Sequence, residues 1–430
     1  MVKSIGIRRE DKNNWERRVP LVPEHVRSLL SRHSIAVVIQ PSSQRVFRDH
    51  EFEHVGAVVN EDLGPCSLIL NVKEVPAEKI LREKIYVLFS HTIKGQSYNM
   101  PMLKRFIEQR CTVIDYERIT DDEGKRLVFF GRYAGMAGMI ETLRALGQRW
   151  QKRGFHTPLQ DIRPAYDYAS QSDAQDHLQA IGRQLARQGL PEEISPLTIG
   201  ITGYGQVSSG AQEMLLGLPV EELSPLQLLR RTTRRNDVIY KVVFSEKDMV
   251  VPNDQGAVFS LPEYYSRPEN YRSRFADYLS HLTVLVNGIY WDDRYPRLVT
   301  KTFLREQVHA KLEVIGDISC DIGGSIECTE RTTTPAEPFY TFDPLSGTTR
   351  DGVHEQGIVV LAVDNLPTEL PRDASEAFST ALWPLISETV NSDFTVPLAE
   401  LVLPAALKRA IIVYQGQLTP SYSYLDAYVQ

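Results

Sequence analysis

Over the first 130 residues short apolar runs alternate with helix-forming stretches, and this alternation narrows the folds open to the chain more than any other feature. The runs are SIGIR, AVVIQ, LILNV, IYVLFS, TVIDY and LVFF, with PEHVRSLLSR and MPMLKRFIEQ among the stretches between them. Strands separated by helices at this spacing build an α/β sheet of largely parallel order. From Tyr133 to about Arg153 the residues Met136, Met139, Ile140, Leu143, Leu146 and Trp150 recur at helical spacing, which predicts a buried or bridging helix. Residues 155–195 are polar and turn-rich, apart from a helix near Ala174 to Arg187, and read as a boundary. A second α/β unit opens with LTIGITGYGQVSSGAQEMLLGL and continues through VIYKVVFS, HLTVLVNGIYW, LEVIGDISC and GIVVLAVDNL. After Pro371 the pattern is helical, with no further strand expected. Neither an internal repeat nor a low-complexity tract is present, which removes solenoids and propellers.

At roughly 150 residues per domain, 430 residues make two or three domains. With 48 Lys+Arg against 55 Asp+Glu the net charge is −7, the wrong balance for a general nucleic-acid binder. No apolar run approaches the roughly 18 residues that span a bilayer. The opening MVKSIGIRREDKNNWERR carries charges where a signal peptide needs its apolar stretch. The expectation is a soluble, cytoplasmic protein without nucleic-acid or membrane partners, its oligomeric state open. Cys66, Cys111, Cys320 and Cys328 form no C-x-x-C pair, so neither a disulfide scaffold nor a metal site is expected.

The glycine turn Gly203-Tyr204-Gly205-Gln206-Val207-Ser208 stands between an apolar strand and a helix. Glycines there let the backbone approach a pyrophosphate, whose charge would sit at the positive end of the helix. Ser208 replaces the third glycine of the full fingerprint, and an ordinary strand-to-helix turn would look the same. At the end of the following strand, where an acid would hold the ribose of NAD, Ser224 is expected, with Glu221 and Glu222 close enough to compete. Arg230, Arg231, Arg234 and Arg235 follow. The run reads either as a solvated basic face or as a partner for the extra phosphate of NADP, so NADP(H) is the preferred cofactor, NAD(H) the alternative.

In the first unit Lys73 ends the run LILNV and His91 ends IYVLFS, where parallel strands deliver side chains to a crevice. With Glu117 after TVIDY they could share protons during addition and hydride transfer. Glu16, Arg17 and Arg18 form an acid-base cluster after the first strand, which a surface salt-bridge group would resemble.

The stretches SIGIRREDKNNWERRVPLVPEHV, NVKEVP, LFSHTIKGQ, VIDYERITDDEGKRLVFFGRYAGMAG, NGIYWDDRYPRLVT, GDISCDIGGSIE and VDNLPTELPRDASEAF resemble, in order and spacing, the lysine-ketoglutarate reductase family. That family makes saccharopine from lysine and 2-oxoglutarate and lies within the alanine dehydrogenase and transhydrogenase group. The resemblance implies two Rossmann-like domains. Residues 1–135 with 366–430 would bind substrate and residues 136–365 the dinucleotide, the first domain being completed by the returning C-terminal segment. It implies acid-base roles for Lys73 and His91, tuning roles for Glu16 and Glu117, and carboxylate-binding roles for Arg18, Lys94 and Arg126. It also implies cofactor-facing loops at Gly203 to Gly205, Asn287-Gly288-Ile289, Asp317-Ile318-Ser319 and Asp364-Asn365-Leu366. The segment VVPNDQGAVFSLPEYYSRPENYRSRF resembles an insertion of the two-enzyme animal and plant proteins. No saccharopine-cleaving half accompanies it, so the product is expected either to be consumed by another enzyme or to be an end product. An opine-type dehydrogenase for another amine, or a non-catalytic NADP-binding regulator, are the alternatives.

Overall fold

A computed structural model describes residues 4–33, 35–306 and 311–429. The chain divides into two units, Met1–Phe130 with Pro371–Gln430, and Gly131–Leu370. In the first unit, strands β1 (Ser4–Ile7), β2 (Ala36–Ile39), β3 (Val58–Val59), β4 (Leu68–Leu70), β5 (Ile85–Leu88) and β6 (Thr112–Asp115) lie in the order β6-β5-β4-β1-β2-β3. All these pairs are parallel. Burial on both faces explains why LIL and IYVL are unbroken apolar runs rather than alternating ones. The chain steps outward from β1 to β3 and then crosses to the other side of β1 to form β4. The loops after β1 and β4 therefore leave in opposite directions, and a crevice opens at their carboxyl ends.

Helices α1 (Pro23–His33), α2 (Asp49–Glu53) and α3 (Met100–Glu108) belong to this unit. Phe106 of α3 packs 5.0 Å from Tyr86 of β5. The returning C-terminal segment completes the unit. Ser375 and Ser379, in the helix Pro371–Thr389, accept the backbone N–H groups of Val19 and Val22 at 3.0 Å each, the second just before the start of α1. Phe378 of the same helix stacks on Phe130 at 4.4 Å.

Two expectations fail here. Ile411–Tyr414, expected as helix, is a fully buried strand antiparallel to β6, and it turns back through Gln417–Leu418. Its β-branched residues favour the open edge of the sheet once the helix Ala405–Arg409 stops. LVFF, expected as a strand, forms none; Val128 and Phe130 are buried in the core instead.

The second unit contains α4 (Gly131–Lys152), α5 (Gln171–Gln188), β7 (Leu197–Thr202), α6 (Gln206–Glu213), β8 (Val220–Leu223), α7 (Pro225–Arg230) and β9 (Ile239–Phe244). Then come α8 (Glu246–Met249), β10 (Val250–Pro252), α9 (Leu261–Ser266), β11 (Tyr271–Ser273), β12 (Val284–Asn287), β13 (Val314–Asp317), β14 (Phe339–Phe342), β15 (Thr349–Asp351) and β16 (Ile358–Leu361). The sheet order is β8-β9-β7-β12-β13-β16-β14-β15, antiparallel only at β14 and β15, while β10 and β11 form a separate ribbon. Helices α4 and α6 cross so closely that a Cβ at Gly135 would lie 1.9 Å from the Val207 carbonyl oxygen, and one at Gly210 1.9 Å from that of Arg132. This contact places all of α4 in the second unit, so the boundary falls at 130/131 rather than 135/136. The turn Leu366–Glu369, buried against α4, moves the other boundary to 370/371.

Candidate active site

At the carboxyl ends of β1, β4 and β5 the first unit gathers ionisable side chains that water does not freely reach. Glu16 and Arg18, in the loop after β1, form a two-pronged pair, Arg18 Nε donating to Oε1 at 2.8 Å and Nη2 to Oε2 at 2.5 Å. Both side chains are buried, and the guanidinium lies 4.0 Å from the centre of the Phe130 ring. Such a pair holds its geometry because each member neutralises the other where solvent cannot.

Lys73 follows β4, its Nζ 5.9 Å from the Phe89 ring centre. Burial, reinforced by the charges of Arg18 and Lys12, lowers its pKa to about 8, while Glu16 and Glu74 oppose the shift. The neighbouring Glu74 accepts from His91 Nδ1 at 2.6 Å and from Lys12 Nζ at 3.1 Å through the same oxygen. Burial alone would raise the Glu74 pKa, but the hydrogen bond and charge of His91, then Lys12, hold it well below the usual carboxylate range. His91 adopts a left-handed backbone at φ 48°, uncommon for a non-glycine residue, and Asn99 secures the turn by donating to the carbonyls of Ser90 and His91 at 3.1 and 3.2 Å. The hydrogen bond between Nδ1 and Glu74 fixes the orientation of the His91 ring.

Three acids behind these residues shape the site. Glu10 accepts the backbone N–H groups of Val72 and Lys73 at 2.7 and 2.9 Å, anchoring the turn that carries Lys73, and burial with the Glu16 charge pushes its pKa up to about 7. Asp115, at the end of β6, accepts from the Ser90 hydroxyl and N–H and from the Glu117 N–H, and burial raises its pKa. Glu117 pairs with the half-exposed Arg126 at 2.5 Å. Lys94 stays apart: it is exposed, and its backbone N–H donates to Gln96 at 3.2 Å. Glu10, Lys12, Glu74 and Asp115 went unselected by sequence reasoning, although each adjoins a strand end or a selected residue. Among the described residues no group of three His, Cys, Asp or Glu side chains could hold a metal ion, and no helix is long and apolar enough to cross a membrane.

The second unit presents a different surface at the same end of its sheet. Gly203 has φ 80°, a conformation that favours glycine, and Gly205 precedes α6 with no atom within 4 Å of where a Cβ would stand. That open ground before a helix N-terminus fits the pyrophosphate of a dinucleotide. Around it, Thr202 donates to Asn287 Oδ1 at 2.7 Å, and Asn287 Nδ2 lies 2.9 Å from Asp317, 2.8 Å from Ser319 and 2.9 Å from Ser325. This network ties the ends of β7, β12 and β13 together. Tyr204 and Gln206 are exposed, while Ser208 is buried where α6 meets α4. A Cβ at Gly288 would lie 2.7 Å from Val207 Cγ1, and one at Gly203 3.2 Å from Ile289 Cγ2. Ile318 and Leu366 pack toward α4, their Cδ1 atoms 2.6 and 3.3 Å from where a Gly138 Cβ would stand. Asp364 is exposed, and the Asn365 carbonyl accepts from Thr368 at 3.0 Å.

Ser224 and the arginines require correction. The strand beside β7 is β9, not β8, so Ser224 ends the edge strand, where its hydroxyl caps α7 by accepting the Gln227 N–H. The strand end beside the glycine turn carries Ser245 and Glu246 instead: the Gly203 N–H donates to Phe244 O at 2.9 Å. Arg230 closes α7, which returns the chain toward the start of β9. Arg231 then lies over Tyr240, the second residue of β9, with 4.2 Å between Cζ and the ring centre. Arg235 pairs with Asp237, just before β9, at 2.8 Å. The residues from Arg231 to Arg235 thus sit where the strands begin, at the opposite end of the sheet from the glycine turn.

Fold and site together define a two-unit pyridine-nucleotide dehydrogenase architecture. The chain belongs to the alanine dehydrogenase/PNT family, whose N-terminal domain model matches residues 6–137 and whose C-terminal domain model matches residues 269–421. Within that family it is similar to the alpha-aminoadipic semialdehyde synthase of Arabidopsis thaliana, with 39% identity over 98% of this chain but 41% of that protein. The chain therefore spans less than half the length of that relative. The saccharopine dehydrogenase [NAD(+), L-lysine-forming] of Emericella nidulans is 26% identical over 88% of this chain and 90% of its own length. The solved structure of an L-alanine dehydrogenase shares the fold, with a TM-score of 0.65 at 19% identity over 99% of this chain and all of its own.

Proposed function

We propose that the chain is an oxidoreductase of CH–NH bonds that couples the side-chain amine of L-lysine with 2-oxoglutarate to form saccharopine, or runs the reverse reaction. The observation that carries this reading is the Lys73–Glu74–His91 cluster at the crevice after β4 and β5. The Emericella relative's printed name, with saccharopine and lysine in it, supports the substrate class.

The reaction needs two opposed proton movements. Lysine must lose a proton before its nitrogen attacks the 2-oxo carbon, and the oxygen of that carbon must gain protons to leave as water. A base with a pKa near the working pH gives and takes protons with little bias, and Lys73 at about 8 is such a group. His91, its ring oriented by Glu74, serves as the second carrier through Nε2. Glu10 holds the backbone of Lys73 in place while Glu16 and Arg18 set the field around it. Arg18 and Arg126 supply cations for a product with three carboxylates, while Lys94 stays outside the cluster. A pyridine dinucleotide, held at Gly203 to Gly205 and the N-terminus of α6, supplies hydride to the imine carbon when bound.

The test is oxidation of reduced dinucleotide by purified protein with 2-oxoglutarate and a panel of amines, with mass detection of product. Saccharopine formed with lysine far faster than with ornithine, alanine or ammonia supports the reading. A different preferred amine overturns the substrate, and no turnover with any amine overturns the enzyme.

A further inference from the structure

Where the strands of the second unit begin, at the end of the sheet away from the glycine turn, four basic side chains gather without counter-ions. Leu228 of α7, Leu282 and Leu312 belong to one apolar core, and each brings a basic residue to its edge. The Arg231 N–H bonds back to the Leu228 carbonyl at 3.4 Å, His281 immediately precedes Leu282, and Lys311 immediately precedes Leu312. Their charges reach one another: besides burial, Arg231 and Lys311 lower the His281 pKa, while Arg234 and Arg231 lower that of Lys311. Arg231 lies over Tyr240, and its Nη1 is buried without a hydrogen-bond partner. Among the described residues Arg231, Arg234, His281 and Lys311 make no side-chain hydrogen bond or ion pair. The nearby acid Glu221 is taken by Arg235, which lies 3.5 Å from it and 2.8 Å from Asp237. Elsewhere in the unit cations are neutralised, as Arg149 and Arg153 are by Glu313. Like charges held together without partners cost stability, and an anion removes that cost.

Lys311 also stands on the wall of a cavity of about 500 Å³. Leu312 and Ile358 give that cavity apolar surface, while Glu193, Asp343 and Glu355 give it acceptors that repel a further anionic group. We propose that Arg231, Arg234, His281 and Lys311, with the cavity beside Lys311, form a binding site for a nucleoside polyphosphate, the phosphates lying on the basic side chains and the uncharged nucleoside in the cavity. A terminal phosphate brings about two negative charges, and its oxygens match the fork of a guanidinium. The cavity has the size of a small-ligand site. Its acids accept from ribose hydroxyls and base amino groups, which a bare polyphosphate or a polycarboxylate lacks.

The experiment keeps the glycine turn filled with saturating reduced dinucleotide. Wild-type protein, the double variant Arg234→Gln/Lys311→Gln and Gly205→Ala are titrated calorimetrically with ATP, tripolyphosphate, citrate and a short DNA duplex, and thermal melts verify folding. Both residues of the double variant are exposed, so their replacement leaves the core intact. Wild type should bind one equivalent of ATP at least about tenfold more tightly than tripolyphosphate or citrate. The double variant should weaken ATP binding by about a hundredfold, roughly tenfold for each charge-assisted contact, and Gly205→Ala should leave it unchanged. Without ligand and at low salt the double variant should melt above wild type, because repulsion is relieved. No ATP binding, or a loss with Gly205→Ala and not with the double variant, overturns the site. Tripolyphosphate bound as tightly as ATP overturns the place of the nucleoside in the cavity. A duplex bound more tightly than ATP and released by the double variant makes the cluster a nucleic-acid surface and overturns the small-molecule assignment.

Discussion

The two sheets end in crevices of opposite character. At the carboxyl ends of β1, β4 and β5 the first unit sets Glu10, Glu16, Arg18, Lys73, Glu74 and His91 within one shielded region, and burial or a charged neighbour shifts the pKa of Glu10, Lys73 and Glu74. At the corresponding end of the second unit Thr202, Asn287, Ser319, Ser325 and Thr329 are linked around the buried acid Asp317. One parallel fold thus sets perturbed charges in one crevice, and backbone and hydroxyl groups fixed around open space in the other. The contrast predicts that substitutions in the first crevice alter rate and pH dependence, while those in the second alter dinucleotide affinity.

The largest effect belongs to the buried pair. Arg18→Ala takes the two-pronged guanidinium from the buried Glu16 carboxylate, and urea denaturation should show a loss of about 3–5 kcal/mol of stability. Adding Glu16→Gln should restore much of that loss, because the buried negative charge is then gone. A loss under about 1 kcal/mol would mean that the pair is solvated and the crevice is not shielded.

Lys73→Met keeps most of the side-chain volume and removes the proton. Turnover should fall by about a hundredfold or more, with little change in dinucleotide affinity. Stability gives an independent reading with a defined sign. The Lys73 pKa is lowered on folding from 10.5 to about 8, so burying the charged amine costs stability below pH 8, and the cost is relieved as pH rises toward 10.5. The variant should therefore be more stable than wild type at pH 7, by about 1–3 kcal/mol, and lack the rise above pH 8.

In the second crevice Gly205→Ala puts a methyl group into the space before α6 without forcing a left-handed backbone. Dinucleotide affinity should weaken by about tenfold, while the melting temperature holds and the pH dependence of turnover stays that of wild type. A changed pH profile would erase the distinction between the crevices. The smallest effect is expected at Lys94, which is exposed and whose side chain makes no hydrogen bond or ion pair among the described residues: Lys94→Ala should change the Michaelis constant for 2-oxoglutarate less than threefold, and a larger change would place it in the substrate site.

What was legible in the sequence was local. Apolar runs ending at Lys73 and His91 revealed both strand ends, because a strand buried on both faces announces where it stops. The order of strands in a sheet is not local. Nothing in VEELSPL or VIYKVVFS states that the later strand inserts beside β7, and so Ser224 was expected at the strand end next to the glycine turn, where Ser245 and Glu246 stand. The direction of the chain after α7 was hidden for the same reason, which left the arginines on the wrong side of the sheet. Glu74 and Glu10 resemble solvated acids in a charged run until the fold brings His91 and the Lys73 backbone to them. IIVY was missed because four apolar residues at the end of a helical pattern become a strand only when an open edge, here β6, is available.

The most direct test of the account is the pH dependence of kcat/KM for saccharopine formation in wild type and Lys73→Met, with the affinity for reduced dinucleotide measured on the same samples. The account predicts an ionisation near pH 8 in wild type that disappears in the variant, together with the fall in rate and an unchanged dissociation constant for the reduced dinucleotide. An ionisation near 8 that persists in the variant at wild-type rate would contradict it and reduce Lys73 to a structural residue.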